Sequence, residues 1–141
     1  MTVDLKSRDY AQRLLAYEAT ANGPCAAKDA ASRVTKKLRR ALVTLAGARG
    51  VHALLSRSLT LAKRETPILT LLRVRPDGSI EGLNEVSELH SDAEVGEAVV
   101  ILIAQWLGLL SAFIGESLTV HLLREAWPDL PFDDTNSPGT K

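Results

Sequence analysis

Two short clusters in the second half of the chain carry side chains that metals or protons use. His121 and Glu125 stand four residues apart in TVHLLREAW, which puts an imidazole and a carboxylate on one side of a helix. The pair could fill half of a metal shell. A tetrahedral site needs further ligands, and no second pair at comparable spacing stands near it, so an ordinary i,i+4 ion pair is the expectation. His90, Asp92 and Glu94 alternate just ahead of a helical segment and offer one nitrogen and two carboxylates. Acids at that place equally suit the positive end of a helix dipole. Glu116 follows an apolar run directly in FIGES; buried there, its carboxylate must meet a cation or accept hydrogen bonds. Glu116, His121 and Glu125 are therefore the candidate buried polar side chains. Cys25, the only cysteine, precedes a helix start where a thiolate is stabilised, but no histidine lies near it in sequence and an incidental thiol is expected. Gly47 and Gly50 do not follow a predicted strand, so no phosphate loop is read from them. No catalytic residue, metal site or cofactor is assigned, and an enzyme is the least favoured class.

The stretch RVTKKLRR raises a different chemistry. It packs Arg33, Lys36, Lys37, Arg39 and Arg40 into eight positions of a chain with zero formal net charge. On a helix over 27–46, Ala31, Val34, Leu38, Ala41, Leu42 and Leu45 fall within an arc of roughly 100°, and the five basic residues spread over the opposite side. They are the candidate face for an anionic partner. Residues 26–75 hold twelve basic and two acidic side chains, and residues 76–141 hold two basic and twelve acidic ones. Equal and opposite halves can neutralise each other within a fold or across a dimer, which is preferred to an outside polyanion. Helix, glycine-bearing turn and helix across 27–64 have the outline of a helix-turn-helix, and AGARGVHALLSRSL is similar in rhythm to some repressor headpieces; the second helix would present His52, Ser56, Arg57, Thr60, Lys63 and Arg64. No aromatic residue interleaves the basic segment, which disfavours single-strand binding. The same stretch resembles phosphotransfer bundles in the glycine of TLAGA. Val43 stands where a phosphorylated side chain would, so phosphotransfer is excluded and only a docking role of that kind remains.

These residues need helices to position them. A chain of 141 residues is one domain's length, and with six aromatic side chains its core must come from Leu, Val, Ala and Ile. We expect an N-terminal extension over 1–7 with Ser7 as N-cap, a single helical domain over 8–130, and a flexible tail over 131–141. Helices are predicted near 8–21, 27–46, 51–64 and 93–114, with a continuation after Glu116 that stops at Pro128. Pro76-Asp77-Gly78 between apolar residues suits a short β-hairpin near 70–83 and almost as well a plain loop. Residues 98–115, AVVILIAQWLGLLSAFIG, are apolar all round, so this helix must lie in a core, an interface or a bilayer. Ala104, Gly108, Ser111, Ala112 and Gly115 cluster on one side, where a second backbone can come close; they are the candidate interface. Acidic flanks and a central Trp106 are poor membrane anchors, which favours a buried helix.

Taken together, RLLAYEA, LLSRSLTLAK, DGSIEGL and AQWLGLLSAFIGESLTVHLLREAWPD resemble a group of small uncharacterised bacterial proteins, over most of residues 10–129. The resemblance implies a bacterial, stand-alone protein and carries no activity or site. The expectation is an all-α bundle of four or five helices around a central hydrophobic helix. Its expected function is that of a non-enzymatic cytoplasmic interaction or scaffold module, homodimeric, docking a protein partner through a charge-segregated helical surface. A nucleic-acid-associated regulator using 33–40 and a membrane-associated protein using 98–115 are the alternatives.

Overall fold

The helix with apolar side chains all round decides where the other elements lie. The computed structural model describes residues 5–21, 23 and 25–130. In it the chain runs α1 (Leu5–Thr20), α2 (Ala27–Glu65), a 3-10 turn (Pro67–Leu71), β1 (Arg73–Val74), β2 (Ile80–Glu81), α3 (Leu83–Leu89), α4 (Asp92–Ile114) and α5 (Glu116–Ala126). The fold is an all-α bundle. The hairpin is present, with β1 and β2 antiparallel and Val74 opposite Ile80. Its turn is held by Asp77, whose carboxylate accepts from the Ser79 amide and hydroxyl at 2.9 and 2.6 Å.

α4 starts at a complete capping box. The Ser91 hydroxyl accepts from the Glu94 amide at 3.1 Å and the Glu94 carboxylate accepts from the Ser91 amide at 3.0 Å. That backbone donor holds the Glu94 carboxyl below the usual range. From Ala98 to Leu107 every α4 side chain except the half-buried Ile101 is buried, with Trp106 and Ile103 fully enclosed. Length and composition alone would let α4 cross a membrane, as they would many core helices. Here α1, α2, α5 and the 3-10 turn pack against it.

Two of the expected helices meet at a sharper point than the glycines suggested. Residues 27–46 and 51–64 belong to one helical ladder, Ala27–Glu65, interrupted only at Gly47 with φ 76° and ψ 166°. That backbone is accessible to glycine and strained for other residues. Either side of the bend one stripe is buried: Ala31, Val34, Leu38 and Leu42 before it, Val51, Leu55, Leu59 and Ala62 after it. Between them the chain leaves the core, and Val43 and Leu45 are 43% and 47% exposed. The N-terminus of α2 has no cap of its own. Asp92, in the first turn of α4, supplies it by accepting from the Ala27 amide at 2.7 Å.

The start of the chain corrects one boundary. α1 begins at Leu5, so Ser7 is not an N-cap and the extension drawn over 1–7 is partly helix. Ser7 is buried because it shares a stripe with Tyr10, Ala11 and Leu14, and Gly108 of α4 leaves room for it. The tail expected over 131–141 lies outside the described residues.

Two glycines give opposite expectations on replacement. A Cβ on Gly82 would sit 2.4 Å from the Leu71 carbonyl oxygen, at φ +103°. Gly82→Ala should therefore cost about 2 kcal/mol or more. Gly96 is helical and its Cβ would meet only the Ala27 methyl at 3.7 Å, so Gly96→Ala should be neutral or stabilise by up to about 1 kcal/mol. Urea midpoints of the two variants check the contrast; equal midpoints would contradict the backbone path through Gly82.

Candidate docking groove

The most constrained polar group in the bundle is a carboxylate in the apolar stripe of α1. Glu18 follows Ala11, Leu14 and Leu15 at spacings of seven, four and three, which turns it inward, and it is 1% exposed. A charge taken out of water needs a cation and donors. Lys37 of α2 places Nζ 2.5 Å from Glu18 Oε2, and Trp127, just past α5, donates its Nε1–H to the same oxygen at 2.8 Å. The Lys37 ammonium also lies 5.7 Å from the Tyr17 ring centre and 5.6 Å from that of Trp127, within cation–π range. The Tyr17 hydroxyl is 3.4 Å from Asp129. On the backbone side, the Glu18 carbonyl accepts from Arg33 at 3.2 Å and from the Cys25 thiol at 3.6 Å. One residue thus ties α1, α2 and the end of α5 together.

Beside this hub α2 and α5 leave a groove of about 570 Å³. Ala41, Leu45, Leu122 and Ala126 give it apolar walls, Thr44 adds a hydroxyl, and Lys37, Arg40 and Glu125 stand at its edge. Groove and hub share Lys37. Because Leu45 and Leu122 reach only partial burial, a partner could still remove apolar surface from water there.

The five basic residues of 33–40 do not form one face. Arg33 and Lys37 turn toward Glu18, while Arg39 reaches the hairpin, with its guanidinium 3.4 Å from the Asp77 carbonyl and 3.9 Å from its carboxylate. Lys36 and Arg40 remain exposed, with no hydrogen bond or ion pair among the described residues. The small-residue stripe is divided as well. Ala104 is buried, Gly108 and Ser111 are half-buried, and Ala112 and Gly115 are exposed. Ser7 and Tyr10 of the same chain share a groove with Gly108, Ser111 and Ala112, so part of the stripe already seats α1.

The candidate buried polar side chains are all at the surface, which corrects that expectation. α4 ends at Gly115 and the chain turns, so Glu116 enters the exposed first turn of α5 instead of extending the apolar run. His121 and Glu125 lie on the outer side of α5 and form the i,i+4 pair at 3.2 Å, with both side chains more than half exposed. In the other cluster, His90 lies 3.7 Å from Glu94, while Asp92 is committed to the α2 N-terminus. Among the described residues, no three His, Cys, Asp or Glu side chains gather as a metal site would need. Glu18, the carboxylate that is buried, was missed, although its place in the Leu14–Leu15 stripe was the available signal.

Compared with protein-family models, curated proteins and solved structures, the chain shows no match.

The hub predicts an asymmetry between its two charged partners. Lys37→Ala strands the buried Glu18 carboxylate and should cost about 3 kcal/mol. Glu18→Gln keeps an acceptor for Trp127 and releases a lysine that is already 41% exposed, so about 1 kcal/mol is expected. Chemical denaturation with an unchanged m-value measures both. The reverse order would contradict the pairing described.

Proposed function

We propose that the protein is an interaction module whose α2–α5 groove docks a short acidic amphipathic segment of a protein partner. The observation that carries this reading is the groove itself: an open apolar trough edged by Arg40, with Lys36 one turn earlier on α2, two exposed cations with no partner among the described residues. An apolar stripe on the ligand would cover Leu45 and Leu122, and carboxylates along its edge would meet the cations. Apolar contact would supply most of the affinity, and charge would select and orient the ligand.

The division of the basic residues weighs against the nucleic-acid alternative. A duplex contact draws on several cations arrayed along one face, and here three of the five are engaged inside the chain. The enclosure of α4 likewise weighs against the membrane alternative, since three helices would have to part before its middle met lipid.

Two-dimensional NMR with defined probes tests the reading. A Leu- and Glu-rich helical peptide should shift the amides of Thr44, Leu45, Leu122 and Ala126, and a Leu- and Lys-rich peptide of the same pattern should not. A response to neither peptide would overturn the groove as a docking site. Perturbation of 33–40 by duplex DNA, lost steeply with added salt, would replace it with the nucleic-acid reading.

A further inference from the structure

The chain carries, on its own surface, a segment with the chemistry that this groove would accept. α3 buries only Val86. Leu89, at its end, is 68% exposed, more than any other leucine described as exposed. Glu85 lies one helical turn before it on the same side of α3, Glu88 adjoins it in sequence, and both are exposed. Neither has a hydrogen bond or ion pair among the described residues. An exposed leucine with carboxylates beside it suits an apolar trough edged by Arg40, with Lys36 one turn earlier on α2.

A single molecule does not bring the two together. α3 is held at the beginning of α2, where Lys28 donates to the Asn84 side chain at 2.8 Å. Arg40 lies twelve residues farther along the same helix, about 18 Å at 1.5 Å per residue. α3 of the same chain therefore does not reach the groove, whereas α3 of a second copy can, and every copy carries both halves of the contact.

Resting on the reading of the α2–α5 groove as a docking site, we propose that its occupant is α3 of a second copy of this chain. Leu89 inserts between Leu45 and Leu122, and Glu85 and Glu88 face Arg40 and Lys36. Two copies arranged about a two-fold axis make the contact twice, with each groove filled and each acidic corner neutralised. The one acid at the groove's edge, Glu125, is paired with His121 at 3.2 Å. This contact differs from a dimer through the small-residue stripe, part of which α1 already occupies.

Charge exchange tests the proposal on the intact chain. Arg40→Glu and Glu88→Lys should each weaken self-association by about tenfold or more in sedimentation velocity, with unchanged far-UV circular dichroism, since both side chains are exposed. Mixing the two variants in equal amounts should restore association, because the mixed dimer has one native contact and one with its charges exchanged. Leu89→Ser should weaken association without any change of charge. Association unaffected by all three variants would overturn the proposal, as would two weakened variants that fail to rescue each other. A wild-type chain that stays monomeric at sub-millimolar concentration would overturn it too. If the Leu- and Glu-rich peptide still shifts groove amides in that monomer, the groove survives as a docking site for a different partner; if it does not, both readings fall.

Discussion

A helix that is apolar on every side must be walled in on every side, and the remainder of this fold can be understood as the supply of those walls. α4 offers no polar face to water between Ala98 and Leu107. An unbroken α2 would be straight over 39 residues, roughly 58 Å, far longer than α4. The bend at Gly47 allows both halves to return buried stripes to the core. α1 covers a further side, where Gly108 lets Ser7 approach, and α5 covers another. Burial of this aliphatic surface is the dominant stabilising term. The polar contacts then fix which wall stands where.

Two of those contacts join elements distant in sequence. Asp92 begins α4 and at the same time closes the N-terminus of α2, so the starts of the two longest helices are fixed together. Glu18 does the same for α1, α2 and the segment after α5. Both are carboxylates bound to groups that would otherwise be left unsatisfied, a free helix amide and the buried Trp127 indole N–H. The cost of leaving either unpaired is what gives such contacts their directional force, because apolar packing alone tolerates sliding. Charge segregation along the chain is partly explained by this division of labour. The basic segment supplies Arg33, Lys37 and Arg39 to internal contacts, and the later, acidic segment supplies Asp77 and Asp92.

Legibility in the sequence follows the same physics. Helices 27–46, 51–64 and 93–114 were readable because each repeats its apolar residues at helical spacing over several turns, and the bundle follows from having to cover the last of them. The hairpin remained open against a loop because only two residues of each strand pair, too few for an alternation to register. Glu116 misled because an apolar run gives no notice of a change in direction; Gly115 alone marks it. The five basic residues read as one face because helical periodicity records angle but not reach. Long flexible stems let Lys37 and Arg39 bend toward carboxylates on other elements, and those carboxylates are 19 and 38 positions away. Glu18 was missed for the converse reason: a lone carboxylate in an apolar stripe has significance only once Trp127, over a hundred residues later, is known to face it.

Lys37 serves two masters, and this sets a limit on what the groove can do. Its ammonium is neutralised by Glu18 and held between two rings, so a ligand carboxylate could recruit it only by weakening the pairing of a buried charge. That trade is unfavourable, since the energy regained at an open groove is that of a partly solvated pair while the energy lost is that of an enclosed one. A carboxylate entering the groove would instead meet Arg40, the exposed cation in its lining that has no partner among the described residues. Lys37 itself lines the trough, and its bond to Glu18, which also accepts from Trp127, links α2 through α1 to the segment after α5. A groove with one wall tied down by such a pair would lose little freedom when filled, and the ligand would bear most of the ordering cost. A segment already helical before docking, as the proposed α3 ligand would be, bears less of it than a disordered one.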